Sequence, residues 1–299
     1  MQGSWIIGFV CLSCSIACSN AASIDCTQCE TWNKEQTPFR IFGNTYYVGT
    51  RGLSSVLIAS SAGHVLIDGA LPQSAPLIAR HVEQLGFKMS EVKLILNSHV
   101  HYDHAGGIAE LQKISGAKVI ASDAAANVLR SGKLDRNDPQ FEFLVPYPGS
   151  SNVEALQRRK VLALGTLQLT VIHTPGHAPG GTSWTWKSCE DERCVSIVYA
   201  DSLNAVSDDS FKYSGDARYP NAAADLTASI AAMAAAPCDI LITAHPELGG
   251  LWSVFDEHGA GDRPRLIDSA ACKRYAAGAK VRFDERIERE RHSVATEPQ

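Results

Sequence analysis

Three histidines and an aspartate fall within six residues, in His99-Val100-His101-Tyr102-Asp103-His104. The apolar run Leu94-Ile95-Leu96 comes just before them, and Gly106-Gly107 follows. The order reads as a buried strand, a turn crowded with ligand-type side chains, and the start of a helix. Three imidazoles and a carboxylate at this density are more than a polar surface loop needs. They suit a zinc ion, which takes nitrogen and oxygen ligands. A turn leaving a strand lets alternate side chains converge on one ion while Asp103-His104 faces a second. A closed structural site needs four ligands for one ion, and this chain offers more. Gly106 and Gly107 are expected to let the helix begin close to the ions.

Two other segments end a strand-like run on a histidine. His173-Thr174-Pro175-Gly176-His177 leaves the run 167–172 through a Pro-Gly turn and presents His177 at a loop tip. Ile240-Leu241-Ile242-Thr243-Ala244-His245 places His245 at the same kind of edge as His99. His173 itself reads as packing or as support behind a ligand. His64, His81, His258 and His292 lie in strand, helix or tail patterns with no neighbouring ligand.

The 299 residues are 45% hydrophobic and 20% charged, enough for a sizeable core. A net charge of −5 gives no reason to expect nucleic acid or an anionic membrane as partner. Strands are predicted over 45–49, 55–59, 64–67, 92–96, 118–121, 167–173, 183–186, 195–199 and 239–243. Helices are predicted over 74–85, 107–115, 124–131, 225–235 and about 268–291. Hairpins come first and strand–helix alternation later, a pattern repeated loosely in the second half. Two packed sheets with helices on the outer faces account for it. Residues 132–160 lack periodicity and read as a long loop, a lid or binding wall.

The uncharged apolar run 5–18, followed by Asn20-Ala21-Ala22-Ser23, reads as an export signal over 1–22, with the domain at 23–299. It is too short for a membrane span. Ser15-Ile16-Ala17-Cys18 partly matches a lipid-attachment box, a lesser alternative. Six of the nine cysteines remain beyond that segment, and export with an even count favours disulfides. Cys189 and Cys194 bracket a polar turn like a hairpin stapled at its base. Cys238 and Cys272 flank the last histidine-bearing strand and the start of the final helix.

The segment His99 to Gly107, in order with His177 and His245, resembles the signature of the metallo-β-lactamase superfamily. Tyr199-Ala200-Asp201-Ser202-Leu203-Asn204 resembles subclass B3 of that family, where a Ser replaces the zinc-binding Cys of other subclasses. So do the stretches 43–49, 61–69, 180–186 and 237–246 with Cys272, and the likeness runs from about 31 to 290. It implies an α/β, four-layer αβ/βα sandwich holding two zinc ions. His99, His101 and His177 would hold the first ion, and Asp103, His104 and His245 the second. Ser202 and Asn204, with Gln140 from the long loop, would meet the substrate carboxylate, although relatives commonly carry Ser or Thr where Asn204 stands. Cys238–Cys272 is the implied disulfide, beside Cys189–Cys194. Some relatives pair an N-terminal Cys with a Cys where Arg51 stands here. Cys26 and Cys29 are therefore left to bond to each other, stay free, or bond between chains.

The implied activity is periplasmic opening of the β-lactam ring of penicillins, cephalosporins and carbapenems by hydroxide generated at the zinc pair. The chain is expected to act as a monomer on this small substrate, conferring antibiotic resistance. Asp103 would also orient the hydroxide. Lactonases and thioesterases of the same fold are the competing enzymes. They use an Asp bridging both metals in the strand that here ends at Asp201. A non-catalytic binding module is the third reading. Ser90-Glu91-Val92-Lys93 has the Ser-x-x-Lys spacing of a serine mechanism, but no companion motif supports one.

Overall fold

The computed structural model describes residues 22–157, 159–258 and 266–295. The predicted export signal and Cys18 lie outside this range, apart from Ala22. Among the described residues twelve strands form two sheets. The first has seven, in the order β1 (Phe39–Phe42), β2 (Thr45–Tyr47), β3 (Val56–Ile58), β4 (His64–Ile67), β5 (Val92–Leu96), β6 (Lys118–Ala121) and β7 (Val153–Ala155). Its first four strands pair antiparallel and β4 to β7 pair parallel. The second sheet has β8 (Val161–Leu164), β9 (Leu167–His173), β10 (Thr182–Glu190) and β11 (Arg193–Ala200) in antiparallel array. Strand β12 (Ile240–Thr243) closes it, parallel to β11.

Strand periodicity explains the layering. Val56 and Ile58 of β3, Val65 and Ile67 of β4, and Leu96 and Ile120 face one way. They pack against Leu169, Val171, Trp184, Trp186, Ile197, Tyr199, Ile240 and Ile242 of the second sheet. The alternate residues Leu57, Leu66, Ile95 and Val119 face outward. They are covered by helices α2 (Ala75–Gln84), α4 (Ile108–Ser115) and α5 (Asp123–Ser131), numbered after the short α1 (Cys29–Trp32) and α3 (Tyr102–Ala105). On the far side, Val198, Ala200 and Leu241 meet α6 (Ala222–Ala235) and α8 (Ala271–Ala295). Helix α7 (Leu251–His258) lies between these two in sequence, and its Trp252 joins the inter-sheet core. This is the expected four-layer sandwich. Strands buried on both faces read as apolar runs, as β3 and β4 do.

Local chemistry fixes the helix ends near the site. Ser122 caps α5, its hydroxyl accepting from Ala125 N–H at 3.2 Å. Gly106 and Gly107 lie where the backbone crowds the 69–72 turn. A Cβ on Gly106 would lie 2.3 Å from Tyr102 O and 2.4 Å from Pro72, and one on Gly107 would lie 2.2 Å from Gly69 O. These glycines let the helix start pack against the 69–72 turn.

Three disulfides join described residues: Cys26–Cys29, Cys189–Cys194 and Cys238–Cys272. The open question over Cys26 and Cys29 is answered by a bond between them. Arg51 instead lies over the Trp252 ring at 4.2 Å and pairs with Asp256. Among the described residues no helix is long and apolar enough to cross a membrane.

Candidate metal centre

Strands β5, β9, β11 and β12 all deliver their C-terminal ends to one edge of the sandwich. The chain leaving β5 carries His99 to His104, the loop after β9 carries His177, and that after β12 carries His245. Two groups of side chains converge there. One is His99, His101 and His177; the other is Asp103, His104 and His245. Within each group the candidate ligand atoms lie within 4.8 Å of one another.

Hydrogen bonds set the ring orientations in the first group. His99 Nδ1–H donates to Asp201 Oδ1 at 2.7 Å, leaving Nε2 for a metal. His101 Nε2–H donates to Asp138 Oδ2 at 3.0 Å, leaving Nδ1. His177 Nδ1–H donates to Asn204 O at 2.8 Å, leaving Nε2. Each ring thus has a partner that fixes its tautomer, the usual support behind metal-binding histidines. Asp138 and Asp201 are both fully buried.

The second group is held by its own members. His104 Nε2 lies 3.2 Å from His245 Nε2 and 3.2 Å from Asp103 Oδ2. His245 Nε2 lies 3.3 Å from the same Asp103 oxygen. A tetrahedral zinc with ligands at about 2.0–2.1 Å has ligand–ligand edges of roughly 3.3 Å. The triangle therefore fits such an ion. Its other atoms have little else to do: His104 Nδ1 is buried with no hydrogen-bond partner.

Protonation states suit a cation. Burial, then the neighbouring imidazoles, hold His99 well below the usual histidine range. Burial and His101 push His177 down to about 3. Burial opposes ionisation of Asp103, but His104 and His245 more than offset it and keep the carboxylate well below its ordinary range. Burial also disfavours the His104 cation, yet Asp103 outweighs it and raises that ring. His99 and His177 are thus held as neutral imidazoles and Asp103 as the carboxylate, the forms that metal binding requires, while His104 would give up its proton to a bound cation.

One buried carboxylate organises the turn from beneath. Asp68 accepts from Ser98 N–H at 2.7 Å, Ser98 O–H at 2.6 Å and Tyr199 O–H at 2.8 Å. It sits at the end of β4 with φ +59°, a conformation costly for a non-glycine residue.

The ligand groups open into a cavity of about 1030 Å³. Ser202, Asn204 and Gln140 all line it, as do Trp32, Phe143, Leu144 and Val206. The Trp32 ring lies 5.4 Å from that of His245. Gln140 Nε2 lies 3.3 Å from His177 Nε2. The 132–160 segment therefore supplies a wall through Gln140, Phe143 and Leu144, and it also contains strand β7. His173 is placed differently from either expectation, exposed at the end of β9.

Sequence reasoning missed Asp138 and Asp68 as supports and left Asp201 undecided. Asp201 stands behind His99 and joins neither ligand group. Thr174 O–H donates to its other oxygen at 3.4 Å. The signals were Asp138-Pro139 inside the long loop and Asp68-Gly69 closing an apolar strand.

Comparison with known proteins agrees with this geometry. Residues 48–245 match the profile of the metallo-beta-lactamase superfamily. MEM-A1, a subclass B3 metallo-beta-lactamase isolated from a soil metagenome library, is 52% identical with TM-score 0.84, covering 88% of this chain and 99% of that one. Rm3 metallo-beta-lactamase is 50% identical with TM-score 0.87, covering 90% and 100%. Among curated proteins, a hydroxyacylglutathione hydrolase of Rhodopseudomonas palustris is 31% identical over 147 residues. That match spans 49% of this chain and 46% of that protein, so the chain covers under half the length of this relative. The chain belongs to the metallo-β-lactamase superfamily, and MEM-A1, which it resembles over nearly that protein's full length, is a subclass B3 enzyme.

Proposed function

We propose that this protein is an exported β-lactamase that holds two zinc ions and opens the β-lactam ring by direct attack of water. The observation that carries this reading is the position of Asp201. A lactonase or thioesterase of this fold would use that carboxylate to bridge the metals. Here it is spent on His99 Nδ1–H at 2.7 Å, while Ser202 and Asn204 line the cavity instead. Likeness over nearly their whole length to metallo-beta-lactamases, among them subclass B3 enzymes, supports the same conclusion.

His99 Nε2, His101 Nδ1 and His177 Nε2 would hold one ion, and Asp103, His104 and His245 the other. Bound zinc supplies Lewis acidity, polarising a carbonyl and acidifying water. The chain's own groups do the rest. Asp103 stays ionised and orients the attacking water. Ser202, Asn204 and Gln140 hold the substrate with its lactam carbon facing that water. Trp32, Phe143, Leu144 and Val206 exclude bulk solvent. The water oxygen adds to the carbonyl carbon, the C–N bond breaks, and the ring nitrogen takes up a proton. No acyl-enzyme forms, and Lys93 is spent on Ser90 O at 2.8 Å, well away from the site.

The three disulfides support folding in an oxidising compartment such as the periplasm, with residues 1–22 as the export signal. The similarity to a hydroxyacylglutathione hydrolase favours a thioesterase as the second reading. One assay separates the two. Zinc-loaded protein is given a carbapenem, a penicillin, a homoserine lactone and a glutathione thioester, with and without chelator. Chelator-sensitive β-lactam hydrolysis is expected. Turnover of the thioester or lactone alone defeats the proposal.

A further inference from the structure

Helix α8 presents one face to the segment that follows β11. Tyr275, Arg282 and Arg286 lie on that face at helical spacing. Tyr275 O–H donates to Asp201 O at 3.0 Å and accepts from Leu203 N–H at 3.2 Å. Arg282 Nε–H donates to Asn204 Oδ1 at 2.9 Å. Arg286 donates to Ser207 Oγ at 2.7 Å and to Ala205 O at 3.3 Å.

The two arginines differ in charge balance. Arg286 is paired with Glu290. Among the described residues Arg282 has no carboxylate partner, so its positive charge is uncompensated beside Asn204. The helix makes room for it. Gly278, in an alanine-rich turn where glycine costs roughly 1 kcal/mol of helix stability, would place a Cβ 3.2 Å from Arg282 Nη1. Arg282 also lines a cavity of about 410 Å³ that shares Glu247, Leu248 and Ser253 with the metal cavity.

Asn204 links this cation to the site twice. Its backbone carbonyl orients His177, and its side chain lines the metal cavity. With Oδ1 taken by Arg282, the Nδ2 amino group makes no hydrogen bond among the described residues and remains to donate. A carboxylate is the ligand that such a donor and an uncompensated cation recognise. We propose that Arg282 is a positioning residue for anionic substrates, acting through Asn204. It fixes the amide with Nδ2 free and biases the site towards β-lactams with a free carboxylate. The inference rests on the β-lactamase reading above.

The test compares a penicillin with its neutral methyl ester on zinc-loaded wild type, Arg282→Ala, Arg282→Lys and Asn204→Ala. The acid-over-ester preference in kcat/KM should fall about tenfold in Arg282→Ala, carried by KM. Arg282→Lys should recover part of it. Added salt should erode the preference of the wild type more than that of Arg282→Ala, because the charge lies near solvent. Acid and ester losing rate in equal proportion in Arg282→Ala would overturn the inference while leaving the β-lactamase reading intact. A wild type that opens neither compound overturns that reading, and the inference with it.

Discussion

Each of the two candidate ligand groups takes two residues from the turn after β5 and one histidine from a later strand end, yet they are held in opposite ways. His99, His101 and His177 are each braced from behind, by Asp201, Asp138 and the Asn204 carbonyl. Asp103, His104 and His245 brace one another, and His104 Nδ1 has no partner. All three of the first group are buried, whereas the His245 side chain is 23% exposed on the cavity wall. The first group is preorganised by the fold. The second would depend on the cation proposed for it, and it opens more to the cavity through His245.

The largest effect should come from breaking the second group at its only carboxylate. On the proposed mechanism Asp103→Ala removes a metal ligand together with the group that orients water. Turnover is expected to fall about a thousandfold or more, in the range of acid–base and metal-site losses. Near-normal turnover at intact zinc content would show that Asp103 has neither role.

Titration of the metal-free protein sharpens the contrast. His177 is held at about 3 by burial, so its folded form stays neutral while the unfolded chain protonates below about 6.5. Its contribution is complete above that value and is lost as pH falls from 6.5 towards 3. The sum at stake is on the order of a few kcal/mol. His104 has the opposite sign. Asp103 outweighs burial and raises the ring, so its contribution is present below 6.5 and lost as pH rises through the raised value. Urea unfolding in chelator across pH 3.5 to 8 should show stability falling towards acid in wild type. In Asp103→Asn the alkaline-side loss should disappear.

The braces themselves come next. Asp138→Ala and Asp201→Asn should weaken zinc binding about 10- to 100-fold, as supports behind a ligand do. A competition titration with a chromophoric chelator should show this loss in the first of two binding steps. Equal weakening of both steps would erase the distinction between the groups.

These supports are also where the sequence was least legible. The six ligand positions stand out because ligand chemistry demands particular residue types at strand ends. A brace can come from anywhere that folding brings near. Asp138 reaches His101 across 37 residues and Asp201 reaches His99 across 102. The fold was legible for a similar reason. Strands such as β4 and β9 matched their patterns end to end because burial on both faces marks the first and alternation the second. Strand β7 is three residues long with Glu154 at its centre, and no residue of it is fully buried. It forms by pairing with β6, a contact that local pattern does not encode. Strand β1 was missed as well, its four residues broken by exposed Arg40 and a register shift.

The smallest effect concerns the open side of the second group. Trp32 is held by Thr50 O–H and Gly52 N–H on its carbonyl, and its ring lies 5.4 Å from that of His245. Trp32→Ala should raise KM about threefold to tenfold through lost aromatic contact, with little change in zinc content. A matching loss of zinc would make Trp32 a brace and remove the asymmetry between the groups.

The position of Asp201 tests the account most directly. A crystal structure of the zinc-loaded protein should show six ligands, His99, His101 and His177 on one ion and Asp103, His104 and His245 on the other. Asp201 should still accept the His99 Nδ1–H hydrogen bond. An Asp201 carboxylate bridging the two ions would contradict the account and return the chain to the thioesterase and lactonase branch of its superfamily.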